Sequence, residues 1–247
     1  MSNPIIILLN GPPRSGKDTL SDSMWQWNPM VHQEKFARPL KETVPVIYGI
    51  DRNQWVNNYD TPTSKDTPFP VFLGKTPRQV QIALSESFFK PLHGKGVFGG
   101  MLAARVRRVP EPAGTRRIVV VSDSGFRTEA EEVVAAFGAS NTFLIRIHRH
   151  GTTFDGDSRG YIGLADMGVR EIDFHNSKGI DSIARFGRRV LDCVSKPQLS
   201  IARDGREPET DSEYYDRVSK LWDMVLTSWA DEERLLELER ANAEAAF

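Results

Sequence analysis

The feature that most constrains the fold of this chain is a glycine turn that directly follows a short apolar run. The turn is Gly11-Pro12-Pro13-Arg14-Ser15-Gly16-Lys17, and the run before it is Ile5 to Leu9. The run is apolar at odd and even positions alike, which is typical of a strand covered on both faces. Residues 19–27 then have a helical pattern that ends near Asn28-Pro29. Strand, glycine turn and helix in this order predict the beginning of an α/β domain.

The turn matches G-x-x-x-x-G-K in the strand-to-helix context that a phosphate-binding loop requires. Backbone N–H groups of such a loop bind phosphate oxygens, and Lys17 adds a cation for the β- and γ-phosphates. The loop and the two residues after it are therefore the predicted nucleotide contacts. They are Gly11, Pro12, Pro13, Arg14, Ser15, Gly16, Lys17, Asp18 and Thr19.

Asp18 stands where such loops usually carry a Ser or Thr that binds Mg²⁺. A carboxylate can hold Mg²⁺ directly or through water, because that ion prefers hard oxygen ligands. It could also orient an acceptor hydroxyl. The alternative is an acidic residue in the first helical turn that complements the helix dipole.

The rest of the chain up to about residue 195 alternates strand and helix patterns. Further strands are predicted at 32–36, 118–121, 142–147 and 169–174. Further helices are predicted at 39–48, 77–90, 128–137 and 182–193. We therefore expect one α/β domain over residues 1–195, a five-stranded parallel sheet flanked by helices, with a surface insertion at 51–74 and a lid-like loop at 148–162. Ligands of such sheets bind beyond the carboxyl ends of the strands.

Asp123 follows the predicted strand at 118–121, and a carboxylate there is the usual second partner of a phosphate loop. It could hold Mg²⁺ or accept the proton of an attacking hydroxyl; the alternative is a turn or N-cap residue. Arg127, four residues later near a helix start, could reach a phosphate of the acceptor. The alternative for Arg127 is a surface arginine.

Two arginines, Arg149 and Arg159, lie in the predicted lid-like loop. A loop that closes arginines over a transferring phosphoryl group also excludes water, whereas the alternative is a solvated loop. Asn176 follows the last predicted strand, where loops often contact the adenine of a bound nucleotide. The alternative for Asn176 is a plain turn before a helix.

The acceptor side of the site is predicted from residues near two helix starts. Arg38 and Lys41 follow the second predicted strand and could hold an anionic acceptor. Arg78 begins another predicted helix, which also carries Glu86 as a candidate acceptor-side carboxylate.

The balance of charge excludes a uniformly basic nucleic-acid binder, because 32 Lys and Arg face 33 Asp and Glu and the net charge is −1. Any nucleic-acid contact must come from a local patch. One basic cluster is present in this neutral chain, and it either is a solvated face or tracks a nucleic-acid backbone. Its members are Arg105, Arg107, Arg108, Arg116 and Arg117.

The single cysteine, Cys193, excludes a disulfide framework and a cysteine-based zinc site. The apolar run near the start is too short for a signal-peptide core or a bilayer span, so we expect no membrane contact and a cytoplasmic location. Residues 196–211 have a linker composition, and 212–247 have the pattern of an amphipathic helix. That helix either packs back on the domain or forms a dimer or partner contact.

With these motifs in order, residues 1–195 resemble phage nucleotide kinases of the deoxynucleoside monophosphate kinase type, within the thymidylate-kinase-like group. The resemblance rests on Gly-Lys-Asp-Thr at 16–19, on residues 36–41 and 76–78, and on Asp123 with Arg127 and Asn176 with Gly179. It implies a P-loop kinase that uses ATP and Mg²⁺, in the host cytoplasm if a phage encodes the chain.

Two related groups imply different acceptors. One phosphorylates the hydroxymethyl group of 5-hydroxymethyluracil inside DNA, a step of thymidine hypermodification, and the other converts free deoxynucleoside monophosphates to diphosphates. The arginine cluster and the C-terminal extension are compatible with the DNA acceptor, which is the function we expect first. A third alternative is a nucleotide-binding partner protein with little turnover.

Overall fold

The computed structural model describes residues 3–110 and 116–195 and contains one five-stranded parallel sheet. The strands are β1 (Ile5–Asn10), β2 (His32–Glu34), β3 (Ile118–Ser124), β4 (Thr142–His148) and β5 (Arg170–His175). Their order is β2-β3-β1-β4-β5, and every neighbouring pair is parallel. β1, which leads into the glycine turn, is therefore the central strand. The predicted phosphate-binding loop lies at its carboxyl end.

The helices of the structure include all those that the sequence predicts. They are α1 (Lys17–Trp27), α2 (Arg38–Ile47), α3 (Arg52–Gln54), α4 (Pro77–Leu84), α5 (Lys90–His93), α6 (Val97–Arg108), α7 (Arg127–Phe137) and α8 (Ile180–Ser195). π-helical turns lie at Trp55–Tyr59 and Ser85–Phe89, and 3-10 turns at Pro70–Phe72, Ala139–Asn141 and Ala165–Met167. The π-helical turn at Ser85–Phe89 joins α4 to α5, within the stretch predicted as one helix over 77–90.

The two faces of the sheet are both covered, as the apolar pattern of β1 predicts. Ile5, Ile7 and Leu9 share one buried cluster with residues of α1 and α8, and Ile6 and Leu8 share another with residues of α6 and α7. All five side chains are at most 1% exposed. The predicted fold class, a P-loop α/β domain with a five-stranded parallel sheet flanked by helices, is confirmed.

Helix α6 is the main element that the sequence did not predict. Its two glycines, Gly99 and Gly100, are typical of a loop, yet the helix buries Phe98 and Leu102 against α7. A Cβ at Gly99 would collide with the backbone carbonyl oxygen of Glu129. The glycine is therefore required by the close approach of the two helices rather than by a turn.

The stretch 51–74, predicted as a surface insertion, carries a small apolar cluster of its own. Trp55 and Phe72 are 2% and 1% exposed and pack with Val44 and Ile50. These aromatic side chains attach the segment to the end of α2.

The predicted linker at 196–211 and C-terminal helix at 212–247 lie outside the described residues. Within the described part of the chain, no helix combines the length and the apolar character that a bilayer span needs.

Candidate active site

The glycine turn between β1 and α1 adopts a conformation that its two glycines make accessible. A Cβ at Gly11 would lie 2.6 Å from the carbonyl oxygen of Ile147, and Gly16 has a φ of +110° with the amide of Asn176 in the place of a side chain. Asn176 Nδ2 donates to the carbonyl oxygen of Ser15 at 2.8 Å, and Asn176 is only 6% exposed. This side chain therefore supports the loop, and the predicted adenine contact of Asn176 stays a prediction.

Lys17 is folded into the loop that precedes it. Its Nζ donates to the carbonyl oxygens of Gly11 and Pro12, at 2.7 Å each, and the residue is 8% exposed. Burial, together with the nearby guanidinium of Arg159, lowers the pKa of Lys17 to about 8. Two cations thus converge beside the loop, an arrangement that favours a polyanionic ligand.

Asp18 at the first turn of α1 is held from two strands. Its Oδ1 accepts from Lys35 Nζ at 2.7 Å and from Ser122 Oγ at 2.9 Å. Burial raises the pKa of Asp18, but Lys35 and the two hydrogen bonds outweigh it, so the pKa lies below its usual range. Asp18 is therefore an ionised carboxylate at neutral pH.

Asp123 near the end of β3 contacts the backbone of the turn before α2. Its Oδ1 accepts from the N–H of Phe36 at 2.8 Å and its Oδ2 from the N–H of Ala37 at 3.0 Å. Each oxygen keeps a second lone pair for a further donor. Asp123 therefore lies in β3 and holds a turn that belongs to another part of the chain, and its predicted roles toward Mg²⁺ and an acceptor hydroxyl stay predictions.

Of the two arginines in the predicted lid-like loop, Arg159 lies deepest in the site. Its guanidinium pairs with Asp157, with Nη2 2.5 Å from Oδ2, and its aliphatic stem covers the Cα of Gly125, where a Cβ would lie within 2.7 Å of the arginine side chain. Arg149 lies over the glycine turn, with Nη1 3.0 Å from the carbonyl oxygen of Arg14. The structure therefore brings both arginines to the loop that Lys17 occupies.

The predicted acceptor cations are all engaged with carboxylates. Arg38 pairs with Glu34 and Glu42, each at 3.0 Å. Lys41 pairs with Asp60 at 2.8 Å, Arg78 pairs with Asp66 at 2.5 Å, and the carboxylate of Glu86 pairs with Lys90 at 2.6 Å. Their predicted contacts with an acceptor stay predictions, and such contacts would compete with these pairs.

Arg127, at the start of α7, is engaged with acceptors of the protein itself. Its guanidinium donates to Glu131, to Asp166 and to the carbonyl oxygen of Gly163. These three acceptors lie along α7 and beside the turn before β5, and Arg127 lines none of the described cavities. The predicted contact of Arg127 with an acceptor phosphate stays a prediction.

Most of the arginine cluster at 105–117 is engaged in contacts within the protein. Arg105 donates to buried Glu34 and to the carbonyl oxygen of Lys35, and Arg117 is 6% exposed and donates to the carbonyl oxygen of Val109. Arg107 donates to the carbonyl oxygen of Ala136 and Arg116 to the side chain of Asn141. Four of its five members thus contact protein acceptors, so the cluster is neither a simple solvated face nor a free track for a nucleic-acid backbone.

Two cavities flank the turn between β2 and α2. The larger, of about 710 Å³, reaches Asp18 and Lys35 from the side of α1. The smaller, of about 140 Å³, lies between α2, α4 and α7, and Arg159 is part of its lining. It is lined by Phe36, Ala37, Leu40, Arg78, Gln81, Ile82, Ser85, Glu86, Phe98, Asp123, Phe126, Glu129, Asp157, Ser158 and Arg159. We call the smaller one the Arg159 cavity.

The donor set beside the glycine turn fits Mg²⁺. Asp18 offers an ionised carboxylate whose side chain is 68% exposed and whose Oδ2 accepts no hydrogen bond from the described residues. Magnesium is usually bound by one or two carboxylates, waters and substrate phosphates rather than by a protein cage. Over the described residues, no group of three or more His, Cys, Asp and Glu could hold a metal ion.

Several site residues were not found by sequence reasoning. These residues lie within predicted elements or beside them, and nothing in their spacing singles them out. They are Asn10, Glu34, Lys35 and Glu129. Asn10 alone had a usable signal, because it is a polar residue at the end of an otherwise apolar central strand.

Comparison with known proteins finds only a remote likeness to solved kinase structures. No family model matches the chain, and no curated protein matches it. A gluconokinase from Sinorhizobium meliloti 1021 is 12% identical, with 75% of this chain and 90% of that chain covered and a TM-score of 0.35. A sugar kinase from Janibacter sp. HTCC2649 is also 12% identical, with 76% of this chain and 93% of that chain covered and a TM-score of 0.34. At this identity and TM-score the likeness carries no argument about activity, so we derive the function from the site itself.

Proposed function

We propose that the chain is an ATP-dependent phosphotransferase. The observation that carries this proposal is the convergence of Lys17 and Arg159 beside a P-loop, at the mouth of a separate cavity that Arg159 and Asp123 line. Backbone N–H groups and Lys17 would bind the β- and γ-phosphates of ATP. Arg149 and Arg159 would stabilise the charge on the transferring phosphoryl group.

In this proposal the acceptor enters the Arg159 cavity. The acceptor oxygen forms a bond to the γ-phosphorus as the bond between that phosphorus and the β–γ bridging oxygen breaks, and ADP leaves with the electron pair. Asp123 lines this cavity and has a free lone pair on each oxygen, so it would accept the proton of the acceptor hydroxyl. Asp18 would hold Mg²⁺, which supplies charge neutralisation on the phosphates when bound.

We further propose that the acceptor group is the hydroxymethyl group of 5-hydroxymethyluracil in DNA. The support is the size and the lining of the Arg159 cavity. Its volume of about 140 Å³ is below the roughly 300 Å³ at which pockets for drug-sized ligands begin. It suits one polar ring rather than a whole nucleotide, and three phenylalanines line it. A base in a duplex would leave the stack to reach it.

A specific observation favours a second candidate, a deoxynucleoside monophosphate kinase. Arg78 and Arg159 both line the Arg159 cavity, and guanidinium groups bind a free phosphate in bidentate fashion. Arg105 and Arg117 also form contacts within the protein. The arginine cluster therefore gives less support to a DNA acceptor than its sequence suggests.

The test is transfer from γ-labelled ATP with Mg²⁺ to two acceptors in parallel. One is duplex DNA containing 5-hydroxymethyluracil, and the other is a mixture of the free deoxynucleoside monophosphates. Label retained in the DNA supports the first acceptor, and label in free diphosphates supports the second. Tight ATP binding without transfer to either acceptor would contradict the enzyme and favour a nucleotide-binding partner protein.

A further inference from the structure

A buried carboxyl group in the Arg159 cavity has no assigned role so far. Glu129 lies in the first turns of α7, is 4% exposed and lines this cavity. Within the described part of the chain its carboxyl group accepts no hydrogen bond and forms no ion pair at close distance. A carboxyl group that lines a cavity and has no protein partner there can form hydrogen bonds with a ligand in that cavity.

The surroundings of Glu129 favour its neutral form. Burial, reinforced by the carboxylate of Asp123, raises the pKa of Glu129 to about 8. The other charged groups that act on it are Glu86 and the cations Lys90 and Arg159, and Lys90 is already paired with Glu86 at 2.6 Å. A carboxyl group that is protonated at neutral pH carries one O–H donor beside one carbonyl acceptor.

The cavity around Glu129 has aromatic side chains in its lining. The ring of Phe126 lines it, and Lys90 Nζ lies 4.0 Å from the centre of that ring. Phe36 and Phe98, both 2% exposed, add apolar surface. A planar ring held among these side chains would present its edge to the polar groups of the lining.

We propose that Glu129 is a specificity residue that binds the edge of a pyrimidine base through a paired hydrogen bond. Its O–H donates to a base carbonyl oxygen, and its own carbonyl oxygen accepts from the neighbouring ring N–H. The substrate class is therefore a base with a hydrogen-bond donor beside an acceptor on one edge. This inference rests on the proposed phosphotransferase and on its acceptor cavity.

The paired hydrogen bond makes a glutamine an adequate replacement, since an amide also places an N–H donor beside a carbonyl acceptor. With 5-hydroxymethyluracil DNA as the acceptor, or the monophosphate that the wild type uses, we expect Glu129→Gln to keep the acceptor KM within about threefold. Glu129→Ala should raise that KM about 10- to 200-fold, while the KM for ATP stays unchanged. Glu132→Gln, the same change at an exposed position of the same helix, is the matched control.

A second measurement uses only the wild-type protein. An acceptor with a methyl group on the ring nitrogen N3 lacks the N–H donor, so we expect a similarly raised KM. Equal use of the methylated and unmethylated acceptors would overturn the inference, even if Glu129→Ala failed to fold. A KM for Glu129→Gln as high as that of Glu129→Ala would also overturn it, because an ionised carboxylate would then be required. Absence of wild-type transfer to any acceptor would instead defeat the phosphotransferase itself.

Discussion

Asn10, the last residue of the central strand, donates from Nδ2 to the carbonyl oxygen of Gly160, near the end of the lid-like loop at 148–162, at 2.9 Å. The same amide donates to the carbonyl oxygen of Ser124 at 3.0 Å, and its Oδ1 accepts from the N–H of Ile162 at 3.1 Å. The side chain is fully buried. One residue thus ties the strand before the P-loop, the strand that carries Asp123 and the loop that carries Arg159.

Substitution Asn10→Ala should therefore destabilise the protein and weaken catalysis together. It leaves three buried backbone groups without their partner, and each such group costs about 1–3 kcal/mol. We expect a loss of about 3 kcal/mol in the free energy of unfolding, measured with urea, and a lower kcat because Arg159 is less well placed. Asn3→Ala, which removes one contact from an exposed residue, should cost under about 1 kcal/mol. Equal effects of the two substitutions would contradict this account.

Lys17 should matter for catalysis far more than for folding. Replacement by Met removes the cation that converges with Arg159, and loss of one such group typically lowers kcat by about 10²–10³-fold. Labelled-ATP transfer measures this, with Lys75→Met at an exposed position as the control. Retention of full transfer by the Lys17 variant would exclude the proposed ATP site.

Adjacent glycines of α6 should respond in opposite directions. At Gly99 a methyl group would collide with Glu129 O and lie 2.8 Å from Glu132 Cβ, whereas at Gly100 nothing lies within 4 Å. Gly99→Ala should destabilise by about 1–3 kcal/mol because α6 and α7 must separate. Gly100→Ala should stabilise by up to about 1 kcal/mol, since alanine is the better helix former. Thermal unfolding of the two variants measures these changes in stability. Changes of the same sign for both variants would show that α6 and α7 do not pack this closely.

The stability of the protein should fall in acid through Glu34. Burial raises the pKa of this carboxyl group, but the hydrogen bond from His32 and the Arg105 guanidinium outweigh it and hold the pKa at about 2. A folded-state pKa below the ordinary value of 4.5 means that the stabilisation is complete above about pH 4.5 and is lost as the pH falls toward 2.

Glu34→Gln measures that contribution. At pH 7 it should cost about 3–5 kcal/mol in urea unfolding, because it leaves half-buried Arg105 without its carboxylate and Arg38 with only one of its two. The difference from the wild type should shrink at pH 3. Glu42→Gln, whose exposed carboxylate pairs only with Arg38 among the described residues, should cost under about 1 kcal/mol at either pH. A cost for Glu34→Gln that does not change with pH would contradict the lowered pKa.

Local residue patterns were enough to predict the fold class and the position of the phosphate-binding loop. The apolar run at Ile5–Leu9, the glycine turn and the alternating strands and helices predicted the α/β class and the P-loop, because strand burial and loop geometry leave a mark on neighbouring residues. Element boundaries agreed to within a few residues for the five strands. Asp18, Asp123 and Arg159 line the cavities at the carboxyl edge of the sheet, where their positions after strands predict them, while their chemical roles stay predictions.

The tertiary structure alone decided which charges are free and which are paired. Arg105 and Arg117 look like a basic patch in the sequence, yet in the fold their guanidinium groups donate to Glu34 and to the carbonyl oxygen of Val109. Helix α6 was missed because Gly99 is explained only by the partner helix that approaches it. The protonation state of Glu129 could not be predicted from the sequence either. It is set by burial and by residues that are distant in the sequence, and the sheet and its helices bring these residues together around one cavity only in the folded protein.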